Sequence, residues 1–314
     1  MKNILLIPDA PGWAYDKKAD ALIKHIPEYN IKKMYYREYV KRAMDFDFNK
    51  QFDTILFFWW DNFNGHPPPT ALKFNNAAAT VTSHRYHLSY PKNYYKAVFS
   101  FYKKIGANSP KIFEDIKKMR PDAICCPNGV DYEVYIPKKN KKKKDNKLIV
   151  GWVAGKTDLT TDIKGERRVL GPLAKLLESS NVEFKTISTN QYSPKHNVEE
   201  MVDYYNSLDV FLCTSAYEGT PNPAFEAASC GVPVIGTDVG CLSQLIEDGK
   251  NGYIVGSYRT DDGVKSVFKK VFERLLYLEE DREECNEMGN YNREVVLRDW
   301  GWEKRSQPYI SFFE

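Results

Sequence analysis

Glu218 and Glu226 stand on either side of a turn-rich Thr-Pro-Asn-Pro segment, within YEGTPNPAFEAASCGVPVIGTDVG at Tyr217–Gly240. Carboxylates accept hydrogen bonds from hydroxyls, so such a pair suits a polyol at each end of the turn. Between them, the spacing predicts Asn222 as a helix N-cap and Pro223 at the first helical position. Proline has no N–H, which leaves the amides of Ala224 and Phe225 as donors at a positive helix end, a phosphate site. Glu226 beside a phosphate is repelled unless donors compensate, and the two hydroxyls of a ribose supply them. Glu218, on the loop before the helix, then reaches a sugar beyond the phosphate. Either glutamate alone reads as a surface residue. The two together, around one turn between strong strands, read as a site.

Such a site needs strands that end beside it. Short apolar runs alternate with longer amphipathic ones, the pattern of an α/β protein with mostly parallel sheets. In the first half, strands are expected at Ile4–Ile7, Thr54–Trp59, Ala79–Thr82 and Ala123–Cys126, with helices at Asp16–Ile26 and Pro110–Met119. In the second half, strands are expected at Leu148–Val153, Val182–Ser188, Val210–Thr214 and Val234–Thr237. Helices are expected there at Gly165–Ser179, Val198–Asn206, Pro223–Cys230 and Gly263–Glu280. The lysine-rich PKKNKKKKDNK, residues 137–147, reads as a solvated linker between halves. Two open sheets facing each other leave a cleft at the carboxyl ends of their strands.

Bulk properties fit that reading. The 314 residues suit two domains, each large enough for a core, and a net charge of +3 does not call for nucleic acid or membrane. The six cysteines form no CxxC pair, so reduced thiols are expected instead of a disulfide framework or zinc site. Pro8 and Asp9 end the first apolar run too early for a signal-peptide core, and no run approaches the roughly 18 apolar residues of a bilayer span. A soluble, cytoplasmic protein is expected.

Several motifs, in one order, carry a resemblance: the Glu218–Glu226 segment, CPNGVDYEVYIP at Cys126–Pro137, IEDGKNGYIV at Ile246–Val255, and the closing WGWEKRSQPYISFF. Together they resemble glycosyltransferase family 4, retaining enzymes of the GT-B fold. The match is strong from about Ala123 onward and weak before it. The resemblance implies two Rossmann-like domains facing a central cleft: residues 1–140 on the acceptor side and residues 141–299 on the nucleotide-sugar side. A C-terminal helix at about 300–314 would pack back on the first. It implies that Glu218 contacts the donor sugar and Glu226 the ribose, with Gly219, Thr220, Pro221, Asn222, Ala224 and Phe225 around the donor. It also implies an arginine and, a few positions on, a lysine before glycine, both on the diphosphate. Lys164-Gly165 fits the lysine. Lys156 stands near the arginine's place but lacks its bidentate fork.

For the first domain, the family's glycine loop corresponds to Gly12 in DAPGWAYD, at the end of the first strand, where an ordinary turn explains it equally. A histidine after the Ala79–Thr82 strand corresponds to His84, with His87 as alternative, and would lie near the donor sugar. The implied activity is metal-independent transfer of a hexose-type sugar, with retention, from a UDP- or GDP-linked donor to a hydroxyl acceptor of carbohydrate type. The donor is substrate, so no cofactor is implied.

Trp60, Phe63 and His66 run into a proline-rich loop, where packing onto their own domain competes with stacking on a sugar or base. The aromatic and basic residues of Lys92–Lys104 suit an anionic lipid or nucleic acid, or equally a strand with basic flanks. They motivate one rival, a glycosyltransferase acting on modified nucleic-acid bases. The imperfect basic loop motivates another, a nucleotide-sugar or glycan-binding module without turnover. GWVAGKT misses the P-loop spacing, no GxGxxG follows either first strand, and Asp45-Phe46-Asp47 reads as a surface alternation before a strand.

Overall fold

A computed structural model of the chain describes residues 1–61, 75–83, 91–138, 147–155, 162–189, 196–257 and 260–314. It divides into two compact units, Met1–Gly129 with Trp302–Glu314, and Val130–Gly301. The sequence had suggested divisions near residues 140 and 300.

The first unit is built on a six-stranded sheet of order β2-β1-β3-β4-β5-β6. Its strands are β1 (Asn3–Ile7), β2 (Asn30–Lys33), β3 (Thr54–Phe57), β4 (Ala77–Val81), β5 (Lys104–Ala107) and β6 (Ile124–Cys125), all paired in parallel. A strand buried on both faces has no polar alternation, and β1, β3 and β4 are apolar nearly throughout, with the buried Thr80 hydroxyl of β4 donating to Phe58 O (3.1 Å). The Gln307–Phe313 helix belongs to this unit. Tyr309 Oη donates to Cys126 O (2.7 Å), and Phe312 O accepts from Thr54 Oγ1 (3.2 Å).

The Lys92–Phe101 segment, read as a basic-flanked strand, is a helix, starting after Pro91. Tyr95 and Phe99 lie one turn apart and pack under Trp60, with Phe99 and Trp60 rings at 5.2 Å. Those rings are therefore core and cannot stack on a base. Asp45 is an N-cap, accepting from Phe48 N at 3.0 Å to start the Phe46–Asn49 helix.

Lys18 is the anomaly of this unit. It lies on the Ala14–His25 helix, 1% exposed, and its Nζ makes no hydrogen bond among the described residues. The ammonium sits 4.9 Å from the Phe58 ring and 4.8 Å from that of Tyr309. Ring faces compensate only partly for lost water, and burial pushes its pKa down to about 8. An unfolded chain holds the same proton to about pH 10.4. Between these values the unfolded state binds more protons, so stability rises with pH across that window. Lys18→Met is expected to stabilise the protein by about 2 kcal/mol at pH 7, a gain that shrinks towards pH 10. Urea denaturation at both pH values checks this, and equal gains would refute the assignment.

The second unit is a five-stranded parallel sheet of order β11-β10-β9-β7-β8. Its strands are β7 (Leu148–Gly155), β8 (Val182–Thr189), β9 (Val210–Cys213), β10 (Val234–Gly236) and β11 (Gly252–Ile254). One core lies under Tyr205, Phe211, Phe225 and Trp300, the other under Trp152, Leu212, Ile235 and Leu275. The expected Gly165–Ser179 helix is two pieces, a π-helical turn at Glu166–Leu170 and an α-helix at Gly171–Leu176. Pro172 lacks the N–H that would continue one ladder through the junction. Strand order reverses between β7 and β9, and in such sheets that is where ligands bind, beyond the carboxyl ends.

Candidate functional site

The chain leaves β9 through Thr214 and Ser215 and reaches Glu218 three residues later. It leaves β7 for a turn ending at Gly165. Three bonds fasten the two exits together. Ala216 N donates to Ile163 O (2.7 Å), Thr214 Oγ1 to Lys164 O (2.7 Å), and Trp152 Nε1 to Thr214 Oγ1 (2.9 Å). The turn is set from its other side by Asp162, 3% exposed, whose carboxylate accepts from Arg167 N (3.0 Å) and Arg168 N (2.9 Å). Gly165 follows in the left-handed region at φ +74°, which a glycine adopts without strain.

This framework puts the Lys164 ammonium on Glu218 Oε1 as an ion pair, and Ser215 Oγ donates to the same oxygen (2.9 Å). The two side chains are 28% and 15% exposed, so the pair is dry enough to matter and open enough to meet a ligand. Behind it lies a cavity of ≈ 20 Å³ also lined by Trp152, Thr214, Pro221 and Pro223. That is room for about one water, a backing space and not a seat for a sugar. Cys213 beneath is no nucleophile, because burial pushes its thiol up to about 12.

Glu226 lies on the Asn222–Ser229 helix, half-buried, and accepts from Tyr205 Oη at 2.7 Å on Oε2. The Tyr135 ring lies 6.0 Å from that of Tyr205, and burial and then the charge of Glu226 push its phenol upward. Sequence reasoning missed Ser215, Tyr205, Tyr135 and Asp162. Only Ser215 carried a signal, its place at a strand exit next to Glu218.

The helix tip differs from expectation. The helix begins one residue early, with Pro221 in the cap position and Asn222 as its first residue, so Asn222 is not the N-cap. Asn222 N donates to Thr220 O and Ala224 N to Pro221 O, both at 2.9 Å. The Ala224 amide is thus spent inside its own turn. Ala224 is 0% and Phe225 2% exposed, and the Phe225 ring lies 4.4 Å from Trp300. The turn that precedes the helix takes up the donor that the sequence had left for a phosphate. Gly219 O accepts from Cys241 N (2.9 Å), and Thr220 and Pro221 are buried, so these residues shape the loop from inside.

Gly12 lies in the first unit, at φ +72°, and its amide donates to Asp16 Oδ2 (2.7 Å). Burial would raise the Asp16 carboxyl, but Lys33, the Gly12 amide and Tyr35 outweigh it and hold it below the usual carboxylate range. The Gly12 loop is therefore stitched to its own helix. His84, His87, Lys156, Phe63 and His66 lie outside the described residues. No group of three or more His, Cys, Asp or Glu that could hold a metal occurs among the described residues, and no helix there is long and apolar enough to cross a membrane.

Comparison with known proteins places this geometry. Spore coat protein SA of Bacillus subtilis (strain 168) is 30% identical over 111 residues, 35% of this chain and 28% of that protein. The capsular polysaccharide biosynthesis glycosyltransferase CapM of Staphylococcus aureus is 28% identical over 142 residues, 44% of this chain and 35% of that protein. The chain thus spans about a third of the length of the curated relatives it matches. Among solved structures, Anabaena Alr3699/HepE in complex with UDP and glucose superposes with TM-score 0.72 at 12% identity over 99% of each chain. Sucrose-phosphate synthase from Thermosynechococcus elongatus does so with TM-score 0.62 at 14% identity, over 100% of this chain and 98% of that one. These likenesses establish the fold, GT-B, with two parallel-sheet Rossmann-like domains. The family model for "Glycosyl transferases group 1" matches residues 138–295, half of the chain, and the protein belongs to that family.

Proposed function

We propose that this chain is a retaining, metal-independent glycosyltransferase of family 4 that moves a hexose-type sugar from a UDP- or GDP-linked donor to a hydroxyl acceptor. The observation that carries the reading is the Lys164–Glu218–Ser215 cluster at the point where the second sheet reverses its strand order. A transferable sugar needs a group that grips its hydroxyls, and its diphosphate needs a cation when the bond breaks. Here both sit on one framework. Glu218 accepts from the donor sugar, and Lys164 meets the charge that grows on the bridging oxygen. Glu226 accepts from the ribose. The acceptor hydroxyl attacks on the face the diphosphate leaves, and the departing phosphate takes its proton.

Support for a nucleotide-sugar donor comes from HepE, solved with UDP and glucose. The nucleic-acid alternative loses two of its stacking candidates, because the Tyr95 and Phe99 rings are inside the first core.

Thermal unfolding against a panel of nucleoside diphosphates and their sugars tests the proposal. UDP or GDP at a hundredfold over its dissociation constant is expected to add about 2.7 kcal/mol. Release of that diphosphate from the matching sugar nucleotide separates an enzyme from a silent binder. A flat response to the whole panel would remove the proposal.

A further inference from the structure

The two glutamates have different neighbours. Glu218 is paired with a cation. Glu226 accepts from the Tyr205 phenol, and the Tyr135 ring packs edge-on against that of Tyr205; a phenol donates a hydrogen bond without cancelling the charge. We propose that Tyr205 and Tyr135 are positioning residues that hold the Glu226 carboxylate in the orientation from which it accepts the ribose diol. This rests on the reading of Glu226 given above.

Tyr205 is fixed by its surroundings. It is 0% exposed on the Val198–Asn206 helix, with its ring edge-on to Tyr204 (5.4 Å), Phe211 (5.9 Å) and Tyr135 (6.0 Å). A ring so enclosed cannot turn, so its hydroxyl has one direction, towards Glu226 Oε2. Tyr135 is held through its backbone. Its carbonyl accepts from Ser229 Oγ (2.6 Å) and from Arg293 (2.9 Å). The same guanidinium donates to Ser229 O (2.9 Å) and Tyr132 O (3.0 Å). Ser229 ends the helix that carries Glu226, so Arg293 ties that helix to the turn bearing Tyr135.

A carboxylate offers about four acceptor positions, and one or two phenols leave enough for a diol. A lysine or arginine in their place would compete with the ribose for the charge. Burial, and then the negative charge of Glu226, push both phenols upward, so each keeps its proton and remains a donor. A glutamate without them would have free rotamers and would lose part of its grip when it ordered on a ligand.

The test compares UDP and GDP with their 2′,3′-dideoxy counterparts by titration calorimetry. In wild type, the nucleotide that binds is expected to do so at least about tenfold more tightly than its dideoxy form. Tyr205→Phe should shrink that ratio to about threefold or less, with dideoxy affinity unchanged, and the Tyr135→Phe double variant should bring it near one. Unfolding curves confirm that the variants are folded. A ratio that survives in both variants, or an equal loss for both nucleotides, would overturn the positioning role. A wild type that binds UDP or GDP without preference for the diol would overturn it along with the ribose role of Glu226. A wild type that binds neither would overturn the donor reading itself.

Discussion

Glu218→Gln is expected to slow release of diphosphate from the sugar nucleotide by about two to three orders of magnitude. Its affinity for UDP or GDP should stay the same or rise. The sign of that second effect is the discriminating part. Glu218 shares the Lys164 ammonium in the native arrangement, through Oε1, while Ser215 Oγ holds the same oxygen. Glutamine keeps the size and one acceptor but gives up the charge. Lys164 then loses its anionic partner at Glu218 and can turn further towards the diphosphate, so the nucleotide loses nothing. The sugar is left with a neutral partner in place of a carboxylate at the moment positive charge develops on its anomeric carbon and ring oxygen. Lys164→Ala should behave differently, losing about tenfold in nucleotide affinity as well as rate. The two residues touch, so the double variant should lose less than the sum of the single losses. Single-turnover rates and titration calorimetry supply both numbers. A Glu218→Gln enzyme within a few-fold of wild type, or one whose nucleotide affinity falls with its rate, would take Glu218 out of the sugar site.

The parts of this site visible in the sequence are those whose cause is local. A strand exit, a Pro-Asn-Pro turn and a short small-residue helix follow each other within Val210–Ser229, and each has its own signal. Lys164-Gly165 was visible through the resemblance alone, and the structure adds that Gly165 is left-handed, at φ +74°. What orients the carboxylates came from elsewhere in the chain. Tyr205 reaches Glu226 from 21 residues away, and Tyr135 packs against Tyr205 from a motif noticed for other reasons. Nothing in the spacing of aromatic residues separates a core tyrosine from one whose hydroxyl faces a glutamate. The helix start differs from expectation for a subtler reason. Pro223 was rightly counted as lacking a donor, but the turn through Thr220 and Pro221 starts the helix early and uses the Ala224 amide. In the first unit, the aromatic run after Pro91 fits both a strand and a helix, and burial of Tyr95 and Phe99 on one face selects the helix.

Gly240→Ala is expected to cost about 4 kcal/mol or more, and to abolish nucleotide-sugar turnover with it. Gly240 is at φ +53°, where a side chain alone costs about 1–2 kcal/mol. The larger part is steric. A Cβ there would lie 1.6 Å from Gly219 O and 2.6 Å from Gly219 C, and both are backbone atoms that no rotamer change can move aside. Gly219 O also accepts from Cys241 N at 2.9 Å, so the loop after β10 is bonded to the loop that carries Glu218. Relief of the clash must push those loops apart, break that bond and displace the carbonyl of Glu218, 3.1 Å from the new carbon. Gly249 supplies the control. It is also left-handed, at φ +79°, but a Cβ there meets nothing within 4 Å. Gly249→Ala should therefore show the conformational cost alone, a fall in Tm of about 2–6 °C, against roughly 10 °C or more for Gly240→Ala. Equal shifts in the two variants would mean that the Gly219–Gly240 contact is not what holds Glu218 in place.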